Sequence, residues 1–428
     1  MRILLIGSGG REHALAYKLV ASPVVRKLWC APGNAGIAAQ AELLDLRPED
    51  LDALTQFART ERPDLIVVGP ERPLILGLAD RLRSEGLVVY GPSAAGARVE
   101  GSKAFTNELL ARHGLTRKRF SVFTSPAEAK AYVRREGAPV VVKADGDAFG
   151  KGVKVAATVE EAEAFIDRCM VERAFGRAGE TVVIEECLTG PECSIKVFSD
   201  GENVLPMVPA QDYKRIGDGD TGDNTGGMGS YSPVPVLGKA TFDYVVNNIM
   251  WPTVRALAEE GTPYVGTLYA GCILTANGPE LLEYNCRFGD PETQVVLPRL
   301  ESDLVEILQA AVEGRLREVQ PRWSPRRCVC VVVASRGYPD AYEKGKVITG
   351  LDDAEALDDV LIFHAGTALC DGLMVTSGGR VLGVTALGDT FAAARERAYE
   401  AVGRLHFDGM YSRTDIALRA VEAEARHG

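Results

Sequence analysis

The sequence predicts an α/β protein of several domains, the first carrying a parallel sheet with helices on its faces. Three observations lead there. The chain has 428 residues, more than a single hydrophobic core usually serves. In its first hundred residues, short apolar runs at Ile3–Ile6, Leu65–Val68 and Val88–Tyr90 each end in a Gly-containing turn. Helical patterns at Pro48–Arg59 and Pro73–Arg83 lie between them. Beyond residue 101 the alternation loosens, and Pro321-Arg322-Trp323-Ser324-Pro325 reads as a linker before a small α/β unit that begins near Cys328. The expected division is therefore 1–100, 101–320 and 325–428.

Composition narrows the function. A net charge of −11 argues against a nucleic acid partner. A local lysine and arginine cluster can still hold a small anion, because salt screens distant acids. Ile3–Ile6 is too short for the apolar core of a secretion signal, and no apolar stretch of about 18 residues follows. Nine scattered cysteines with no C-x-x-C pair read as reduced thiols. Cys328 and Cys330 alternate along an apolar run and should share one face of a buried strand. The expectation is a cytoplasmic monomer that takes small molecules and binds neither nucleic acid nor membrane.

In parallel sheets, ligands gather at the carboxyl ends of the strands. Here those ends are Gly7-Ser8-Gly9-Gly10, Pro32-Gly33-Asn34-Ala35-Gly36, Gly69-Pro70-Glu71 and Gly91-Pro92-Ser93. The first is close to a dinucleotide fingerprint but has Glu12 at the third glycine position, and no acid closes the second strand. That argues against a nicotinamide cofactor. Two readings remain for Gly9 and Gly10: an anion seat at a helix N-terminus, or a tight turn that needs glycine for packing. Further on, Glu100–His113 reads as one helix carrying Lys103. Leu373–Thr376 and Val381–Thr385 read as the arms of a hairpin turned at Ser377-Gly378-Gly379.

Four segments carry chemistry. In Val140 to Val153, a strand delivers Lys143 to a loop holding Gly146, Gly150, Lys151 and Gly152, after which a second strand begins. Glycine amides and lysines can cradle phosphate, or the segment is a long hairpin loop with surface lysines. No Walker motif is present. Val182 to Leu188 is an apolar strand ending in Glu185 and Glu186, with Glu192 soon after. It suits either the edge of a nucleotide cleft or a strand with solvated end charges. Asp212 to Gly229 is charged and contains six glycines. Such a segment is expected to be a lid or binding loop, mobile until substrates order it. Its Lys214 and Arg215 can pair with phosphate. In Glu283-Tyr284-Asn285-Cys286-Arg287, the period of a strand puts Glu283, Asn285 and Arg287 on one face. A carboxylate beside an amide oxygen suits Mg²⁺, and the arginine suits a carboxylate or a transferring phosphate. A polar ladder on a solvated face is the alternative.

In this order, an early lysine, a strand lysine with a glycine loop, a hinge with acids and a late Glu-x-Asn, the chain resembles the ATP-grasp enzymes. More closely it resembles the phosphoribosylamine–glycine ligase family. The matching motifs are Gly9-Gly10-Arg11-Glu12-His13-Ala14, Pro32 to Gly36, Gly69-Pro70-Glu71, Glu100-Gly101-Ser102-Lys103, Asn224 to Gly229 and Asn285 to Glu292.

The resemblance implies an ATP-grasp fold with an N-terminal substrate domain, a small mobile lid at about 120–190 and a C-terminal α/β domain. It implies ATP, Mg²⁺ or Mn²⁺, glycine and 5-phosphoribosylamine as ligands. By matching position, Lys103, Lys143, Gly150, Lys151, Gly152, Glu185, Glu186, Leu188 and Glu192 would bind ATP, and Glu283 and Asn285 the metal. Gly9, Gly10, Asn34, Glu71, Asp212, Gly226, Gly227 and Arg287 would meet the substrates. Lys214 and Arg287 would be the catalytic cations. The chain departs from the pattern at Asp147 and Phe149, and at Leu268-Tyr269-Ala270-Gly271, where many relatives carry a second acid. Alternatives are another ATP-grasp carboxylate–amine ligase or carboxylase, and a nucleotide-responsive binding protein without turnover.

Overall fold

A computed structural model describes residues 1–146 and 152–427. Its first layer is a wholly parallel sheet in the spatial order Glu42–Leu43, Lys27–Pro32, Arg2–Gly7, Leu65–Val68, Val89–Tyr90. Ile3 to Ile6 are completely buried, as strands covered on both faces must be. The chain turns outward in both directions from Arg2–Gly7, so the carboxyl end of that strand is the switch point of the sheet.

Among the described residues three larger antiparallel sheets follow, besides two hairpins. Phe120–Phe123, Val182–Glu186, Val140–Ala144 and Val153–Ala156 form the smallest, backed by helices Pro126–Glu136 and Val159–Met170. It has its own core, including Val133, Val142, Ile166 and Ile184. Val204–Pro206, Glu192–Asp200, Val265–Thr275 and Gly278–Asn285 form the central sheet. The last sheet runs Gln211–Asp212, Gly229–Ser232, Arg327–Ser335, Arg380–Gly388, Val360–His364, with Met410–Tyr411 also on Arg327–Ser335. Cys328 and Cys330 on that long strand join the core under the first sheet, while Val329, Val331 and Val333 join the C-terminal core. The alternation read from the sequence is present.

Several local expectations need correction. Glu100–His113 is two helices, Ala94–Gly101 and Lys103–Arg112, broken at Ser102, whose extended backbone and hydroxyl cap the second by accepting from Phe105 N. Pro73–Arg83 likewise divides into Glu71–Ile75 and Leu78–Ser84 at Gly77, which is left-handed at φ +89°. The hairpin at Ser377-Gly378-Gly379 does not form. Leu373–Thr376 pairs instead with Thr367–Cys370 through a two-residue turn in which Asp371 and Gly372 both have positive φ. Gly378 packs against the backbone of Gly366 and sends the chain into a different sheet.

The largest correction concerns Asp212 to Gly229. It is not a structureless loop. It contains a small hairpin, Arg215–Gly217 with Thr221–Asn224, between two strands that enter the C-terminal sheet. Tyr213 and Met228 are buried. Arg413, fully buried, reaches Arg215 O at 3.0 Å, Asp220 at 2.9 Å and Asp415 at 2.6 Å. Asp218 accepts from Thr414 N, and Gly219 N donates to Asp415. The partners that hold this hairpin lie about two hundred residues away in sequence, which is why its composition alone suggested mobility.

Candidate active site

The site is assembled on one face of the central sheet. Register places Ser194, Gly271 and Glu283 side by side across three strands, and Lys196, Tyr269 and Asn285 in the next row on that face. A bulge opposite Gly271/Cys272 turns the Leu282 carbonyl toward Lys143, whose Nζ donates to it at 2.9 Å. Beyond the strand, Arg287 continues the alternation: Tyr284, Cys286 and Phe288 are buried, while Glu283, Asn285 and Arg287 stay partly open.

Lys143 is positioned by more than its strand. Glu185, 3% exposed, binds Lys143 at 2.9 Å and Lys118 at 2.8 Å, and accepts from Asn107 Nδ2 at 2.9 Å. Burial alone would raise the Glu185 carboxyl, but the two lysines outweigh it and bring it down to about 2. Glu185, expected at the nucleotide, bonds both lysines here. Lys118, in the basic run Thr116 to Arg119, was not singled out by the sequence and is 6% exposed. Asp145 was missed as well. It accepts from Ser102 Oγ and Ala104 N, both at 3.0 Å, and so ties the lysine strand to the helix that begins at Lys103. Lys103 Nζ donates to Gly146 O at 3.1 Å.

Across the cleft, Lys214 lies 3.3 Å from Glu192 and 3.8 Å from Glu283. Burial favours neutral Lys214, but Asp212, Glu283 and Glu192 together hold it firmly protonated. Burial disfavours a charge on Glu283 as well, yet Lys214, Lys143, Lys103 and Arg287 keep it ionised. Glu283 is thus the carboxylate on which four cations converge, each able to turn to the phosphates of a bound polyphosphate. Glu186 bonds Arg119, whose N donates to it at 2.9 Å, and Leu188 is half-buried just after the strand. Gly150 and Lys151 lie outside the described residues; Gly152 is buried at the foot of the strand Val153–Ala156.

The N-terminal domain closes the other side. Arg287 donates to Glu71 and Glu100, each at 3.2 Å, and to Phe288 O. Glu71 is opposed by its own burial but held down to about 2 by Arg287 and Arg11. The helix N-terminus expected to seat an anion already holds protein carboxylates. Glu12 accepts from Gly9 N at 2.6 Å, and Asp290 from Arg11 N at 3.3 Å. Gly7 and Gly69 are glycines because a Cβ at either would strike the Glu12 side chain, within 2.5 Å and 2.1 Å. A Cβ on Gly10 would meet Gln294 at 2.6 Å. These contacts give the glycines of this turn a packing role.

Asn34, expected at the substrate, is committed elsewhere. Its amide donates to Ser8 O and His364 O and accepts from Gly36 N and Ile37 N, joining the first and last domains. Gly226 is gripped by the C-terminal domain: Arg380 donates to its carbonyl at 2.6 Å, and Tyr338 Oη accepts from its amide at 2.9 Å. Gly227 has φ +113°, and a Cβ there would lie 2.4 Å from Pro291. Nothing in the local sequence pointed to Arg380 or Tyr338.

Among the described residues, no group of three or more His, Cys, Asp or Glu could by itself hold a metal. Glu283 and Asn285 offer two oxygen donors on one open face. That fits a hard cation whose remaining ligands come from phosphates and water.

With this geometry in view, comparison with known proteins is decisive. Family profiles described as the N, ATP-grasp (A) and C domains of phosphoribosylglycinamide synthetase match residues 1–100, 101–293 and 328–419. The chain belongs to the phosphoribosylglycinamide synthetase family. It is 53% identical to the phosphoribosylamine–glycine ligase of Brucella melitensis over 424 residues, 99% of each chain. It is 50% identical to that of Escherichia coli O157:H7 over 428 residues, covering 99% of this chain and 100% of the relative. The crystal structure of the Thermotoga maritima ligase superposes with a TM-score of 0.84 at 35% identity, over 97% of this chain and all of that one. A biotin carboxylase from Campylobacter jejuni, at 16% identity and a TM-score of 0.74 over 98% of this chain and 95% of its own, shares the fold. Members of this family are carbon–nitrogen ligases of the ATP-grasp fold. Among the described residues no helix is long and apolar enough to cross a membrane.

Proposed function

We propose that the protein joins glycine to 5-phosphoribosylamine at the expense of ATP, giving glycinamide ribonucleotide, ADP and phosphate, a step of purine synthesis. The observation that carries this reading is Glu283 beside Asn285, ringed by Lys103, Lys143, Lys214 and Arg287. Family membership supplies the substrate class. The proposed division is a substrate domain at 1–100, the grasp at 101–320 with its lid at about 120–190, and a C-terminal domain at 325–428.

An amine and a carboxylate at neutral pH form a salt rather than an amide. In the proposed course, a glycine carboxylate oxygen attacks the γ-phosphorus and ADP departs. The amine nitrogen of phosphoribosylamine then attacks the acyl carbon, phosphate leaves, and the nitrogen loses a proton. No protein nucleophile is required. Lys103 and Lys143, with Gly152 and the loop before it, would hold the phosphates; Glu186, Leu188 and Glu192 would border the nucleoside. Glu283 and Asn285 would hold Mg²⁺ or Mn²⁺, which supplies charge neutralisation at the transferring group. Lys214 and Arg287 would face that group from opposite sides, and Glu71, Asp212, Gly226 and Gly227 would frame the second substrate. Excluding water protects the acyl phosphate.

ADP release with Mg²⁺-ATP, glycine and phosphoribosylamine, repeated with each omitted in turn, tests the reading. Product should require all three. Product formation without glycine would sink it.

A further inference from the structure

Lys196 and Glu292 have no role in the site as described, yet they lie at its floor. Lys196 is 1% exposed and Glu292 2% exposed, with Nζ and Oε1 3.5 Å apart. These two facing atoms have no hydrogen-bond partner, while the Glu292 carboxylate is bonded to the Tyr269 side chain. The contrast with Glu185, whose carboxylate is bonded by Lys118, Lys143 and Asn107, is sharp. A buried ion pair that leaves its ends unsatisfied does not repay its desolvation, and an apolar pair of similar volume would be as stable or more so. Stability therefore gives no reason for these charges to be here.

Position does. Lys196 shares a row with Tyr269 and Asn285, and its Nζ stands 4.5 Å from the Tyr269 ring centroid. The Tyr269 hydroxyl is 2.8 Å from Ser194 Oγ. Glu292 lies directly under Gly289, where a Cβ would come within 2.7 Å of its carboxylate. Both charges act on Asp212, which also feels Lys214 and Glu192; burial carries its carboxyl up to about 6. A fixed cation and anion under Tyr269 and Asp212 can orient them as a local apolar pair could not.

We propose that Lys196 and Glu292 are a positioning pair for the amino acid substrate: by fixing Asp212 and Tyr269, they shape the end of the site that receives the ammonium group of a small amino acid. This rests on the ligase reading above. Neither residue touches substrate; each acts through its neighbours. Loss of the pair should therefore weaken amino acid use while ATP, held by Lys103 and Lys143 on the other side of Glu283, is bound as before.

The test compares wild type with Lys196→Met, Glu292→Gln and the neutral double variant Lys196→Met/Glu292→Leu, in thermal unfolding and steady-state assays varying glycine and ATP separately. Lys196→Met alone strands a buried carboxylate and can unfold, so the double variant carries the decision. It should melt at or above the wild-type temperature, with KM for glycine raised about tenfold or more and KM for ATP within about twofold. An unchanged glycine KM overturns the proposal, as does a double variant that fails to fold, which would make the pair part of the core. An equal rise in both KM values would also overturn it. Wild type lacking glycine-dependent ADP release overturns the ligase reading and the pair's role together. Wild type that turns over while the double variant matches it overturns the pair alone.

Discussion

Two buried lysine–glutamate clusters sit within this one site, and they are built differently. Around Glu185, both carboxylate oxygens are bonded, by Asn107 on one and by two lysines on the other. Around Glu292, a single lysine stands at 3.5 Å with no hydrogen bond between the closest atoms, and the Tyr269 side chain bonds the carboxylate. The first is a joint: it ties helix Lys103–Arg112, through Asn107, to Lys118 and to the strand that carries Lys143. The second has charge in place but little bonding to show for it. Buried charge alone thus does not reveal a residue's task; the completeness of its hydrogen bonding separates a strut from a group kept for its field.

The comparison predicts effects of decreasing size. Glu185→Ala should be the most damaging, since it leaves two buried ammonium groups facing each other. Unfolding in urea should show a loss of about 3–5 kcal/mol. A loss near zero would erase the distinction between the clusters. Lys143→Ala comes next. Glu185 keeps Lys118 and Asn107, so stability should change by only about 1 kcal/mol. The cation proposed to face the phosphates is gone, and kcat/KM for ATP should fall about 10²-fold. Unchanged ATP kinetics would leave Lys143 as a mere partner of Glu185.

The last effect is one of pH. Glu185 is held near 2 in the folded protein, below its ordinary value of 4.5. Its ion pairs therefore stabilise fully above pH 4.5. As pH falls from there toward 2, the unfolded chain takes up the proton first and this contribution drains away. Denaturation curves of wild type and Glu185→Gln across that range should differ in slope, with the wild type losing stability faster on acidification. Parallel curves would mean that Glu185 is not held low.

Much of the architecture was legible. Buried apolar runs with Gly turns specify the parallel sheet, because strands covered on both faces must be apolar throughout. Strand period alone places Glu283, Asn285 and Arg287 on one face, and it divides Cys328 and Cys330 from Val329 and Val331. These are local consequences of backbone geometry. Local signals also misled where two stood in competition: Ser377-Gly378-Gly379 was read as the hairpin turn, while Asp371-Gly372 makes it.

Tertiary structure decided the rest. The hairpin after Asp212 looks too polar to fold, and it is held by Arg413 and Asp415, whose value as partners no local window contains. Gly7 and Gly69 stand at strand ends where ligands gather, and tertiary packing gives them a further task, making room for the Glu12 side chain. Asn34 reads as a substrate contact, but its amide is used up bridging to His364. Lys118 and Lys196 carry no local signal, and both are buried against carboxylates supplied from other elements. The physical reason is common to all of these. Periodicity tells which way a side chain points from its own backbone, whereas its charge state and hydrogen bonds depend on what faces it, and for these residues that partner comes from a distant part of the chain.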